Sequence, residues 1–324
     1  MSQFLRGLAV VAVLVTAGCA PAPGPALRPS PFDTAPVPSI GCGPDREPGL
    51  LFDGSRQVVG LSVGGFGRWA FIDLPEGAAT GEPAPLLVSL HPFATTPEGW
   101  DQYSSLAAEG TARGYIVVTP RGSDPGPRWA VPGGLPGGPD DLTFIADLVS
   151  LVDRQACVDR NRVFAAGFSA GAAMSVALGC TYPTVFSAVV ASGGANLTST
   201  CEDITTTTDT VILHGTNDPI APPSGSTVVF APPLGLSIDT VLATTALRGS
   251  CTGSVDSDPY ADVRVTRWAG CAHRLEYWAM VGSGHTWAGS DPLIGQFLGG
   301  VTSSFSATTL ALDFFDRDPG PVPT

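Results

Sequence analysis

Two serines stand at the centre of a Gly-x-Ser-x-Gly pentapeptide: Ser62 in Gly60-Leu61-Ser62-Val63-Gly64 and Ser169 in Gly167-Phe168-Ser169-Ala170-Gly171. The pattern can mark an alcohol lifted on a sharp strand-to-helix turn, where it serves as a nucleophile. In a chain with 40 glycines it is also weak, because composition alone supplies about 0.4 copies. Flanking sequence separates the two. Ser62 is followed by Gly64-Gly65-Phe66-Gly67, which cannot open a helix and reads as a hairpin turn. Ser169 follows the strand-like Arg162-Val163-Phe164-Ala165-Ala166 and precedes Ala170-Gly171-Ala172-Ala173-Met174, small residues suited to a helix packed closely on a sheet.

A serine hydroxyl is a poor nucleophile unless a histidine takes its proton and a carboxylate holds that histidine in one tautomer. In elbow-type folds the partners follow in the order serine, acid, histidine. Of the four histidines, His91 precedes Ser169 and His214 ends a strand just ahead of the acid candidate, so both suit supporting roles. His273 lies two residues from Cys271 at a strand edge and suits the surface. His285 stands in Gly282-Ser283-Gly284-His285-Thr286-Trp287-Ala288-Gly289, directly after an apolar strand, a position that brings an imidazole to the carboxyl edge of a sheet. Asp218, in His214-Gly215-Thr216-Asn217-Asp218-Pro219, occupies the matching place after Val211-Ile212-Leu213. Its plain alternative is an Asx turn before proline. The chemistry of such a set is acyl transfer, which needs two backbone donors for the oxyanion. The Ala170 N–H is one. In His91-Pro92-Phe93-Ala94 the proline has no N–H, so Phe93 is the other, unless that loop only turns the chain.

These side chains need strands that end beside one another. Gln57–Val63 and Arg68–Leu74 read as an opening antiparallel pair. Leu86–His91, Tyr115–Thr119, Val163–Ala166, Phe186–Ala191, Thr210–Leu213, Val263–Trp268 and Arg274–Val281 follow as strands. Helical spacing falls at Thr96–Arg113, from Asp140 to Val152, and at Ala170–Tyr182, Ile238–Leu247 and Thr302–Phe315. Strands alternating with helices make an α/β fold with a mostly parallel sheet covered on both faces. The long Gly- and Pro-rich stretch Pro120–Pro139, carrying Trp129, reads as a functional loop.

Taken together, Leu90-His91, the elbow Arg162–Gly171, the segment Ile212–Pro219 and the loop Gly284–Gly289 resemble the polyhydroxybutyrate depolymerase and feruloyl esterase group of α/β-hydrolases. The likeness spans about residues 42 to 316, with the four motifs in unbroken order. It implies an α/β-hydrolase fold and a secreted serine esterase with Ser169, Asp218 and His285 as its triad, needing no metal or organic cofactor. Two positions depart from the group's pattern: Pro92 stands where a glycine is usual after the histidine, and Ala172 where a second glycine is usual after the elbow. Only 49 residues separate Ser169 from Asp218, already filled by a helix and strands, so no large cap domain fits. An open cleft suits an ester on a polymer; Trp129 and Trp287 read as flat apolar walls for it or, equally, as core or rim packing.

The ends of the chain speak to its location. Arg6, the apolar run Leu8–Val15 and the small residues Ala17-Gly18 read as an export signal over residues 1–19, and Val15-Thr16-Ala17-Gly18-Cys19 resembles a lipobox with Cys19 as the lipidated residue. Lipid anchoring and plain secretion both fit. Residues 20–41 form a tether with seven prolines between Ala20 and Ser39, reaching ~60 Å in extended form. The catalytic domain is expected at 42–318 and a tail at 319–324. Six further cysteines suit an oxidising compartment, and short separation favours Cys251 with Cys271 and Cys180 with Cys201, leaving Cys42 with Cys157; free buried thiols are the alternative. With 29 acidic residues, 16 basic ones that are all arginine, and a net charge of −13, the chain repels nucleic acid and anionic lipid. The expected partner is an ester substrate, with a monomeric protein touching membrane only through the anchor. A serine peptidase on the same scaffold and a non-catalytic surface-binding protein are the rival readings; ester against anilide hydrolysis, and fluorophosphonate labelling of Ser169, separate them.

Overall fold

Runs such as Leu86-Leu87-Val88, apolar at every position, are stable only with cover on both faces, and the computed structural model has that cover. It describes residues 35–124, 126–132, 139–198, 208–225, 235–291 and 298–316. The export signal, Cys19, most of the proline-rich stretch, Cys201 and the tail lie outside them. Among the described residues ten strands form one sheet: β1 (Gln57–Val63), β2 (Phe66–Asp73), β3 (Ala84–Leu90), β4 (Ile116–Pro120), β5 (Val158–Phe168), β6 (Ala188–Ser192), β7 (Asp209–Gly215), β8 (Gly253–Tyr260), β9 (Val263–Ala269) and β10 (Leu275–Met280). Their order is β1-β2-β4-β3-β5-β6-β7-β10-β9-β8. The run from β4 to β10 is parallel throughout, and antiparallel pairs finish both edges.

Among the described residues the α-helices are α1 (Pro97–Ser104), α2 (Leu106–Ala112), α3 (Asp141–Gln155), α4 (Ala170–Thr181), α5 (Ile238–Arg248) and α6 (Ala307–Asp316). Because side chains alternate across a strand, Leu86, Val88 and Leu90 pack with Phe144 and Leu148 of α3 and Met174 of α4. Their neighbour Leu87 packs on the opposite face with Trp100 of α1, Leu106 of α2 and Phe315 of α6. The sheet is thereby sandwiched between two helical layers, the α/β-hydrolase arrangement.

Several elements differ from expectation for identifiable reasons. The helix expected over 96–113 is two, because Ser105 takes a left-handed conformation at φ 59° and ends α1. The closing helix begins at Ala307, since Thr302 and Ser304 donate their hydroxyls to Asp262 (2.5 and 2.6 Å) and hold the preceding segment out as a loop. Strand β8 carries no apolar alternation; all eight residues are exposed at the sheet edge, so no periodic signal marked it. The end of the expected tether is docked: Val37 donates to the Asp159 carboxylate (3.0 Å) and Ser39 to the Val158 carbonyl (2.9 Å), so the folded part starts before residue 42. His273 is buried rather than at the surface, packed under the turn at Gly249. Cys42–Cys157 and Cys251–Cys271 are bridged. Cys180 is also disulfide-bonded, while its expected partner Cys201 lies outside the described residues.

Candidate active site

The carboxyl ends of three parallel strands converge. Strand β5 delivers Ser169, the loop after β7 delivers Asp218 and the loop after β10 delivers His285. Ser169 sits at φ 55°, ψ −120°, between the last residue of β5 and the first of α4, a conformation that a non-glycine residue adopts only under constraint. The constraint is visible on both sides. Ser169 donates its backbone N–H to Ser192 at the end of β6 (2.9 Å). A Cβ at Gly171 would run into the Leu90 carbonyl, and one at Gly194 into the Ser169 backbone, so small residues let β3, β6 and the elbow close on one another. Ser62 has no such setting: it pairs with Gly67 on an exposed strand beside the Gly64-Gly65 turn.

From Ser169 a buried relay runs inward. His285 Nε2 lies 2.8 Å from Ser169 Oγ, and His285 Nδ1 lies 2.7 Å from Asp218 Oδ2. Asp218 Oδ1 accepts the backbone N–H groups of Ile220 and Ala221, both at 2.8 Å. A carboxylate already saturated on one oxygen requires a donor at the other, which sets the proton on Nδ1 of His285 and leaves Nε2 to accept the serine proton. All three side chains are buried. The Phe168 ring lies 4.8 Å from the imidazole. The histidine loop is held by His285 N–H to Leu298 (2.7 Å) and by Tyr103, whose hydroxyl accepts from the Trp287 backbone (3.1 Å) and from Ser290 (3.0 Å). Tyr103 was not singled out from the sequence, where nothing links α1 to a loop 184 residues on.

The loop after β3 borders the elbow through the contact of Gly171 with the carbonyls of Leu90 and His91. Phe93 is about half exposed there, at 53%, and Ala94, at φ 59°, donates to Pro127 (2.9 Å). Ala170 opens α4, where a helix leaves its first N–H groups without intrahelical acceptors. His91 clamps this region. Its Nδ1 meets the Pro92 carbonyl at 2.7 Å, and its Nε2 accepts the N–H of Gly122 at 2.9 Å. Its backbone carbonyl takes the Trp129 indole N–H at 2.8 Å. Burial pushes the His91 imidazole down to about 4, so it is neutral.

The two tryptophans expected to wall the cleft are both buried. Trp129 is 6% exposed, lying against the His91 ring. Trp287 is 1% exposed, edge-on to Trp100 with its indole N–H given to Thr308 (2.9 Å). Each ring is buried in packing contacts, and neither is an exposed wall. Phe93, beside the elbow, is a large apolar side chain open to solvent.

Comparison with known proteins agrees with this geometry. The family model described as Esterase PHB depolymerase matches residues 69–234. The chain is 30% identical to feruloyl esterase C of Emericella nidulans over 76% of this chain and 83% of that protein. It is 28% identical to the putative esterase NocK of Nocardia uniformis over 95% and 96% of the two chains. An acetyl xylan esterase from Aspergillus awamori superposes with a TM-score of 0.55 at 18% identity, over 71% of this chain and 94% of that one, and shares its fold. With a family model over half of its length and a relative at 30% identity across most of it, the chain belongs to the esterase PHB depolymerase family and is a serine carboxylic-ester hydrolase of the α/β-hydrolase fold.

Proposed function

We propose that the protein is an exported esterase that releases feruloyl or acetyl groups from polysaccharide, or cleaves polyhydroxyalkanoate-type polyester, through an acyl-enzyme on Ser169. One observation carries the mechanism: the continuous relay from Ser169 Oγ through His285 to Asp218, at 2.8 and 2.7 Å. His285 Nε2 takes the serine proton as Oγ attacks the ester carbonyl carbon. Asp218 steadies the resulting imidazolium, and the N–H groups of Ala170 and Phe93 hold the oxyanion. The intermediate collapses, the C–O bond to the alcohol breaks, and the imidazolium gives its proton to the leaving oxygen. Water then adds to the acyl-enzyme by the same steps, releasing the acid and restoring Ser169.

Feruloyl esters rank first among the substrates because the 30%-identical relative is a feruloyl esterase. The open Phe93 supplies an apolar contact for an aromatic or alkyl acid. Two bridged cysteine pairs support an oxidising, extracellular or cell-envelope location, with Cys19 as the lipid anchor or signal cleavage as the alternative. A panel of methyl ferulate, acetylated xylan, polyhydroxybutyrate and short p-nitrophenyl esters tests the acyl group. Ser169→Ala and His285→Ala are each expected to lower p-nitrophenyl acetate turnover by at least ~10³-fold. Turnover that survives both substitutions refutes the assignment.

A further inference from the structure

We propose that His214 is a positioning residue for the Asp218 carboxylate, holding the turn after Asp218 so that Oδ2 faces His285. The proposal rests on the reading of Ser169, His285 and Asp218 as the triad. A carboxylate can rotate, and only one rotation leaves an oxygen for His285. Here Oδ1 is tied to the N–H groups of Ile220 and Ala221, and Pro219 has none to offer. The tie holds only while the Ala221 peptide stays in place. His214 Nε2 lies 2.7 Å from the Ala221 carbonyl oxygen, so residue 221 is gripped on both sides, at its N–H by Asp218 and at its carbonyl, in the next peptide group, by His214. Asn196 adds a third hold, donating to the Pro222 carbonyl at 3.2 Å.

The imidazole is also the wall behind the carboxylate, with Nε2 at 3.7 Å from Oδ2. His214 is fully buried on β7 opposite Ala279 of β10. Among the described residues Nδ1 has no hydrogen-bond partner, and the Ala221 carbonyl demands a donor, so the single proton belongs on Nε2. Burial lowers the basicity of this imidazole, against the pull of Asp218. A neutral ring suits the position, since a second cation on Oδ2 would compete with the imidazolium of His285 for the same charge. A histidine that only filled the core would owe nothing to its donor, and substitution separates the two roles.

His214→Phe keeps the volume without the donor; His214→Gln puts an amide donor in a similar place. Fluorophosphonate labelling of Ser169 counts the folded sites in each protein. The Phe variant is expected to lose about 10- to 100-fold in kcat on p-nitrophenyl acetate at nearly unchanged KM, as for a small misplacement of catalytic groups. The Gln variant should recover most of that loss. The strongly downfield Nδ1 proton of His285 should be present in the wild type and the Gln variant and absent in the Phe variant. In the wild type, ¹⁵N NMR at about pH 7.5 should find His214 neutral with its proton on Nε2. Full kcat in the Phe variant, or a His214 that is charged or carries its proton on Nδ1 at that pH, overturns the proposal. If the Phe variant does not fold, the wild-type tautomer decides. Turnover surviving Ser169→Ala would refute the triad itself, a different failure.

Discussion

Ser169 is held at φ 55°, ψ −120°, where glycine is at ease and other residues are strained by roughly 1–3 kcal/mol. Ser169→Gly should therefore be inactive yet more stable than Ser169→Ala, by about 1 kcal/mol in urea unfolding. Equal stability of the two would show that the elbow stores no strain. His91 carries a second residue-scale consequence. An unfolded histidine takes its proton near 6.5, whereas burial holds folded His91 down to about 4. Between those values the unfolded chain binds the extra proton, so stability falls as pH falls, by on the order of 2–3 kcal/mol near pH 4.5. His214 and His273, also lowered by burial, act in the same direction. Asp101 opposes them, because burial pushes its carboxyl up to about 6 and the folded chain takes that proton first. Urea unfolding at pH 7 and pH 4.5 isolates the His91 share: in His91→Gln the loss between the two should shrink by about 2 kcal/mol. An unchanged loss would rule out this role for the ring.

At the scale of elements, the site depends on where strands stop. β5, β7 and β10 are parallel and nearly adjacent, so loops at 169, 218 and 285 open on one edge of the sheet. Apolar runs made β3 to β7 legible, because strands buried on both faces need no alternation to be seen. The hydrophilic β8 was not legible, since its place is set by pairing with β9 and not by burial. The Cys251–Cys271 bridge ties the end of α5 to the end of β9 across 20 residues. Loop-closure entropy puts its contribution at about 3 kcal/mol. The Cys251→Ala/Cys271→Ala double variant should unfold at correspondingly lower urea while keeping p-nitrophenyl acetate kcat within about twofold at 25 °C, the triad lying on other loops. Lost activity in a folded double variant would show that this edge supports the site.

For the molecule as a whole, a net charge of −13 disfavours polyanionic substrates through long-range repulsion that salt screens. Raising ionic strength should increase kcat/KM on esters of acidic polysaccharides and leave neutral esters unchanged; a salt response equal for both would remove charge as a selector. The sequence by itself determined the fold class and the three triad candidates, because a chain-order rule, an elbow between strand and helix, and loops after apolar strands are local patterns that survive without coordinates. It left open what the aromatic and imidazole rings do. Trp129 and Trp287 read equally well as cleft walls or as core, and only the tertiary structure sets them, buried, against His91 and Trp100. The same holds for His273, and for the grip of His214 on Ala221. Burial and hydrogen bonding are properties of neighbours brought together by the sheet, and no local pattern encodes which distant residue will stand beside a given ring.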